Sequence, residues 1–201
     1  LQGDVGSGKT IVSLLAALNS VDSGFQVAIM APTEILAKQH YNLAKKIFSS
    51  DLNIELISGK SNYKQKKVIL SKLALHKIDI IFGTHAIFQK RVIFKKLGLI
   101  VIDEQHKFGV SQRKKLSDKG GKNCDILVMS ATPIPRTMIM TIFGDMDTSI
   151  IKSKPKNRIE TITYSKPDTK INEVILFTQK QINNGNQVFW VCPLIEESKK
   201  V

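Results

Sequence analysis

Along the first three quarters of the chain, short apolar runs alternate with longer stretches of mixed polarity. Gln26–Met30, Asn53–Ile57, Asp79–Phe82, Leu99–Ile102 and Asp125–Met129 are wholly or mostly apolar over four or five residues. That is too short for a buried helix, and it is the pattern of strands covered on both faces. Between them, apolar residues recur at helical spacing. Ile11–Leu18 predicts one helix. Glu34–Phe48, with Ile35, Leu36, Leu43, Ala44, Ile47 and Phe48, predicts a second, and Ser61–His76, with Val68, Ile69, Leu70, Leu73 and Leu75, a third. Strands alternating with helices predict an α/β fold with right-handed crossovers and a doubly wound parallel sheet. Ligands of such sheets bind at the carboxyl ends of the strands. Here most strands end in small or polar residues: Ala31-Pro32-Thr33, Gly83-Thr84-His85, Asp103-Glu104 and Ser130-Ala131-Thr132.

The pattern breaks after Ile151. Residues 152–158, Lys-Ser-Lys-Pro-Lys-Asn-Arg, read as a basic linker. Glu160–Tyr164 then predicts a strand, Asp168–Asn183 a helix ending near Gly185, and Gln187–Cys192 another strand. The expected organisation is a nucleotide-binding domain over 1–151, a linker over 152–158, and the truncated start of a second α/β unit over 159–201. The strand that should precede the first helix is reduced to Leu1-Gln2. The first domain is therefore expected to lack its first strand, with a gap in the middle of the sheet, and the chain is read as a fragment.

Composition adds a partner. The 201 residues carry 30 Lys+Arg against 17 Asp+Glu, a net charge of +13, which favours a polyanion, most simply nucleic acid. Lys60, Lys64, Lys66, Lys67, Lys72 and Lys77 follow one another with no acidic residue between them. A solvated helix face is the first reading of this stretch, and a DNA-backbone contact the alternative. Cys124 and Cys192 lie far apart in apolar runs and read as buried thiols of a reducing compartment. No run is long enough to span a membrane and no signal peptide is visible, so a cytoplasmic location with no membrane partner is expected.

Gly3-Asp4-Val5-Gly6-Ser7-Gly8-Lys9-Thr10 fits the phosphate-loop pattern G-x-x-x-x-G-K-[ST]. Its glycines let successive backbone N–H groups turn toward a phosphate. Lys9 is placed to reach the β and γ phosphates, the Thr10 hydroxyl to hold Mg²⁺, and the helix that follows offers its positive N-terminus. Asp103-Glu104 at a strand end supplies the other half of a hydrolysis site. Asp103 suits Mg²⁺, and Glu104 suits the attacking water. An ATP hydrolase using ATP and Mg²⁺ is expected. No Cys/His cluster has metal-ligand spacing, and no Leu-Ser-Gly-Gly stretch supports a transporter-type ATPase.

These boxes resemble those of superfamily 2 helicases. Asp103-Glu104-Gln105-His106 resembles the Walker B box, Ala31–His40 motif Ia, Gly83–Ala86 motif Ib, and Ser130–Thr137 an extended motif III. With Phe108–Arg113 and Trp190–Ser198, they look like the RecG family of branched-DNA helicases over essentially the whole chain. The transcription-repair coupling factors usually show Phe where Ser7 stands, a second Glu where Gln105 stands, and Leu-Thr where Met129-Ser130 stands. Lys107, where the family carries Arg, is the one small departure.

The resemblance implies RecA-like lobes and an ATP-dependent DNA helicase or translocase. It would act as a monomer on forks and branched junctions in recombination and repair. It implies that Gly8, Lys9 and Thr10 hold the phosphates and Mg²⁺, and that Asp103 and Glu104 serve Mg²⁺ and water. Gln105 and His106 would sense the γ-phosphate, and Ser130 and Thr132 would couple hydrolysis to DNA movement. Pro32, Thr33, Gly83, Thr84 and His85 would line the DNA path, gripping phosphates without reading sequence. The alternatives are a coupling-factor type of translocase, or a non-catalytic remnant that only binds nucleotide or DNA. Such helicases keep an arginine finger in the second lobe, so the isolated chain is expected to be a feeble ATPase. His40 and His76 read as ordinary helix histidines.

Overall fold

The computed structural model describes residues 1–48, 52–59, 62–103, 119, 124–132, 147–153 and 161–191. The chain divides into two compact units, Leu1–Asn157 and Arg158–Val201.

In the first unit the apolar runs form β2 (Gln26–Met30), β3 (Ile54–Ile57), β4 (Ile80–Gly83), β5 (Leu97–Asp103) and β6 (Asp125–Met129). They make one parallel sheet in the order β3-β4-β2-β5-β6. Two short strands, β1 (Gln2–Gly3) and β7 (Ile150–Ile151), pair parallel with each other. β1 also adjoins the end of β6. Ser130 N–H donates to Leu1 O at 3.1 Å, and Gly3 N–H donates to Ser130 O at 3.3 Å. The strand order therefore continues β6-β1-β7. The two-residue first strand stands next to last in that order, so the expected gap in the middle of the sheet is corrected: the central ladders are complete.

Successive strand residues point to opposite faces, and the helices cover both. On one face, Leu14 and Ala17 of α1 (Lys9–Asp22) and Ala44 of α2 (Glu34–Ile47) pack on Val27, Ile29, Ile80, Phe82, Leu99, Val101 and Met129. On the other, Leu73 of α3 (Tyr63–Ala74) packs with Ala28, Met30, Ile57, Ile81, Ile100 and Ile102. Thr33 caps α2 by accepting the Leu36 N–H at 3.3 Å, and Asn62 with Gln65 forms a capping box at α3. His76 lies just past α3 in the left-handed region (φ 57), where Lys77 N–H and His76 N–H return to the carbonyls of Lys72 and Leu73.

The second unit holds a short 3₁₀ turn, Asp168–Lys170, leading into α4 (Ile171–Asn183). Lys166 pairs with Glu173 at 2.6 Å across the helix start. The two strands expected here do not form among the described residues: 161–164 and 187–191 have no strand pairing and are exposed. Glu160 and Cys192 lie outside the described residues. An extended segment needs a neighbouring strand to take its N–H and C=O groups. α4 keeps Ile171, Ile175, Leu176, Phe177 and Ile182 exposed. No helix among the described residues is long and apolar enough to cross a membrane.

Candidate active site

Parallel strands bring their carboxyl ends to one edge, and the register places the predicted residues there. Met30 lies opposite both Gly83 and Ile102, and Asp103 opposite Met129. Gly3, Pro32, Thr33, Gly83, Thr84, Asp103 and Ser130 thus all fall at or just beyond this edge.

The loop from Gly3 to Thr10 turns through two left-handed glycines, Gly6 (φ 79) and Gly8 (φ 95), where a side chain would be strained. Ser7 N–H donates to Asp4 O at 3.1 Å, and Val5 N–H to Asp4 Oδ1 at 2.8 Å. The Lys9 ammonium folds over the loop and donates to the carbonyls of Gly3 (2.8 Å) and Asp4 (3.0 Å). Gly8 gives α1 no side-chain cap, and no acidic residue occupies its first turn. The N–H groups of Lys9, Thr10 and Ile11 precede the first intrahelical bond, from Val12 N–H to Gly8 O. Ser7 Oγ is buried without a hydrogen-bond partner among the described residues. A Cβ on Gly3 would stand 2.6 Å from it.

These features fit a triphosphate. Among the described residues, the loop presents amide N–H groups ahead of the first helical bond, a hydroxyl without a partner, and an ammonium resting on neutral carbonyls. The Thr10 hydroxyl and the Asp103 carboxylate are oxygen donors of the kind Mg²⁺ takes.

Asp103 is the last residue of β5 and only 8% exposed. Its Oδ2 lies 2.8 Å from Nε2 of His40 on α2. Glu104, Gln105 and His106 lie outside the described residues. Ser130 is buried one residue beyond β6. Its hydroxyl accepts the Thr132 N–H (3.2 Å), donates to Thr132 O (3.1 Å) and lies 3.0 Å from Thr132 Oγ1, while its backbone holds Gly3. The first residue of the phosphate loop and the Ser-Ala-Thr turn are therefore joined directly.

The residues carried over to a DNA path lie on the same edge. Thr33 opens α2, and Glu34 behind it accepts from Ser58 Oγ (3.1 Å) and from Gly59 N–H. Thr84 O accepts the Ile87 N–H and closes a 3₁₀ turn, His85–Phe88. Gly83 is fully buried, and a Cβ there would meet Ile87 Cγ2 at 2.7 Å and Ile57 O at 3.0 Å. Its glycine is a packing requirement, so any DNA contact it makes must come from backbone. Beside this turn, Tyr63, Lys66, Lys67, Leu70, Arg91 and Val92 line a groove of about 400 Å³. Lys64, Lys67, Lys72 and Lys77 are exposed.

Two polar residues at this edge escape sequence reasoning. His40 falls on the stripe Ala37-Tyr41-Ala44, two of whose members are fully buried. A polar residue on an apolar stripe was the available signal. Glu34 left none beyond its place in the motif. Cys124 is a free, half-buried thiol, pushed up to about 11 by burial and by Asp125 beside it.

A parallel sheet with helices on both faces, a phosphate loop feeding α1, and a buried Asp ending β5 define a RecA-like P-loop nucleotide-binding fold. The sequence model of the DEAD/DEAH box helicases matches residues 1–141, and the chain belongs to that family. Over its whole length it is 46% identical to the ATP-dependent DNA helicase RecG of Bacillus subtilis and 48% identical to that of Thermotoga maritima. It spans 30% and 26% of those two proteins. A structure of RecG bound to a three-way DNA junction matches 97% of this chain with a TM-score of 0.78 and 44% identity, over 26% of the RecG chain.

Proposed function

We propose that the chain is the ATP-binding core of a RecG-type DNA helicase or translocase, acting on branched DNA in recombination and repair. One observation carries this reading: the phosphate loop, the buried Asp103 and the Ser130–Thr132 turn converge on one sheet edge, with Ser130 bonded to Gly3. The identity to RecG over the whole chain supports the branched-DNA substrate.

In this reading residues 1–151 form the first RecA-like domain, 152–158 the linker and 159–201 the start of the second. The loop amides, Lys9 and the N-terminus of α1 hold the triphosphate of ATP. Lys9 exchanges its bonds to Gly3 O and Asp4 O for phosphate oxygens. Thr10 and Asp103 hold Mg²⁺, which when bound neutralises phosphate charge. Glu104 orients and deprotonates the attacking water. Gln105 and His106 sense the γ-phosphate. Ser130 and Thr132 pass its state toward Pro32, Thr33, Gly83, Thr84 and His85, which line the DNA strand. The protein works as a cytoplasmic monomer.

Nucleotide capture is tested by equilibrium binding of a fluorescent ATP analogue. Lys9→Ala should weaken binding at least about tenfold, the scale of one lost charge-assisted contact, with the melting midpoint unchanged. Binding equal to that of the unsubstituted protein would remove Lys9 from the site.

A further inference from the structure

We infer that His40 is a positioning residue for Asp103: its Nε2–H holds one carboxylate oxygen so that the other is presented to the divalent cation of the nucleotide. This rests on the reading of Asp103 as a Mg²⁺-binding carboxylate. The contact is short, 2.8 Å from Nε2 to Oδ2, and both side chains are only 12% exposed, so water competes poorly for either partner. An ionised carboxylate has two oxygens and about four acceptor sites. With Oδ2 engaged by the imidazole, Oδ1 stays available and the carboxylate loses its freedom to rotate.

The imidazole is itself held. His40 sits in the middle of α2, between the buried Ala37 and Ala44, and the helix starts at the Thr33 cap. At the same end Glu34 grips Ser58 and Gly59. Tyr41, the next residue, packs edge-on against Phe82 of β4 with ring centroids 6.1 Å apart. Helix α2 thus has little freedom to slide or roll on the sheet, and the distance from His40 to the end of β5 is set by core packing. Partners outside the first coordination sphere typically contribute a factor of about 10–100 to metal affinity.

The bonding atom is Nε2, so glutamine, whose amide N–H reaches a similar position, is the conservative replacement. Leucine fills the space without a donor. The readout is Mn²⁺ binding, followed by its electron paramagnetic resonance signal, in the full-length protein saturated with a non-hydrolysable ATP analogue. His40→Leu should weaken Mn²⁺ about 10–100-fold, while His40→Gln stays within about threefold and metal-free nucleotide affinity is unchanged in both. Unchanged Mn²⁺ affinity in His40→Leu, with affinity lost in Asp103→Ala, overturns the positioning role and leaves the Asp103 reading standing. Unchanged affinity in Asp103→Ala overturns both. A second measurement needs no substitution at position 40. The imidazole ¹⁵N spectrum should show His40 protonated at Nε2 and slow to exchange, and faster to exchange in Asp103→Ala. A bare Nε2 in the unsubstituted protein overturns the inference even if His40→Leu fails to fold.

Discussion

Gln26 stands buried at the start of β2 with its side-chain amide fully used. Its Nε2 donates to Leu73 O and Ile78 O, both at 2.9 Å, and its Oε1 accepts from Lys95 and Lys96 N–H. One side chain ties the end of α3 and the approach to β4 to the start of β5, at the edge of the sheet opposite the phosphate loop. Gln26→Leu keeps the volume but strands these groups, and each buried polar group left without a partner costs about 1–3 kcal/mol. The substitution should lower the unfolding free energy by about 3 kcal/mol in urea titration; a loss below about 0.5 kcal/mol would mean that water reaches the site. Nothing in the sequence marks Gln26, because its partners lie 47 to 70 residues away. The His40–Asp103 pair, 63 residues apart, was hidden for the same reason. Lys9 is marked in the sequence by the loop motif that carries it, and its contacts in the structure stay within that loop.

At the level of elements, the core strands were readable because both faces of the sheet are covered, which turns each strand into a continuous apolar run. β2 and β6 match the expected limits, while β3 and β4 shift by a residue where a polar neighbour flanks the run. The strands expected at 160–164 and 187–192 fail on their described residues, because apolar content specifies a tendency and pairing needs a partner strand. The basic face of α3 belongs to this scale. Its exposed lysines flank the groove lined by Tyr63, Lys67 and Arg91, with Lys66 bonded to Gly59 O at 3.0 Å. If this face meets DNA phosphates, replacing Lys64, Lys66 and Lys67 by Glu should flatten the dependence of log affinity on log salt by about two to three units. An unchanged slope would assign the face to solvent.

Across the whole molecule, residues scattered from Gly3 to Thr132 meet because every strand of the sheet runs the same way. That convergence followed from the alternation of strand and helix. The place of β1 did not: two residues carry almost no pattern, and only the ladder shows them beside Ser130 rather than in mid-sheet. In the function proposed above, this edge hydrolyses ATP in response to branched DNA. That function is tested most directly by the steady-state ATP hydrolysis of the full-length protein with a three-way junction, with linear duplex of equal length, and without DNA. The junction should stimulate most, and Glu104→Gln should lower the stimulated rate about 10²–10⁴-fold, as expected for loss of a general base. Hydrolysis indifferent to DNA, or unaffected by Glu104→Gln, would contradict the proposed function.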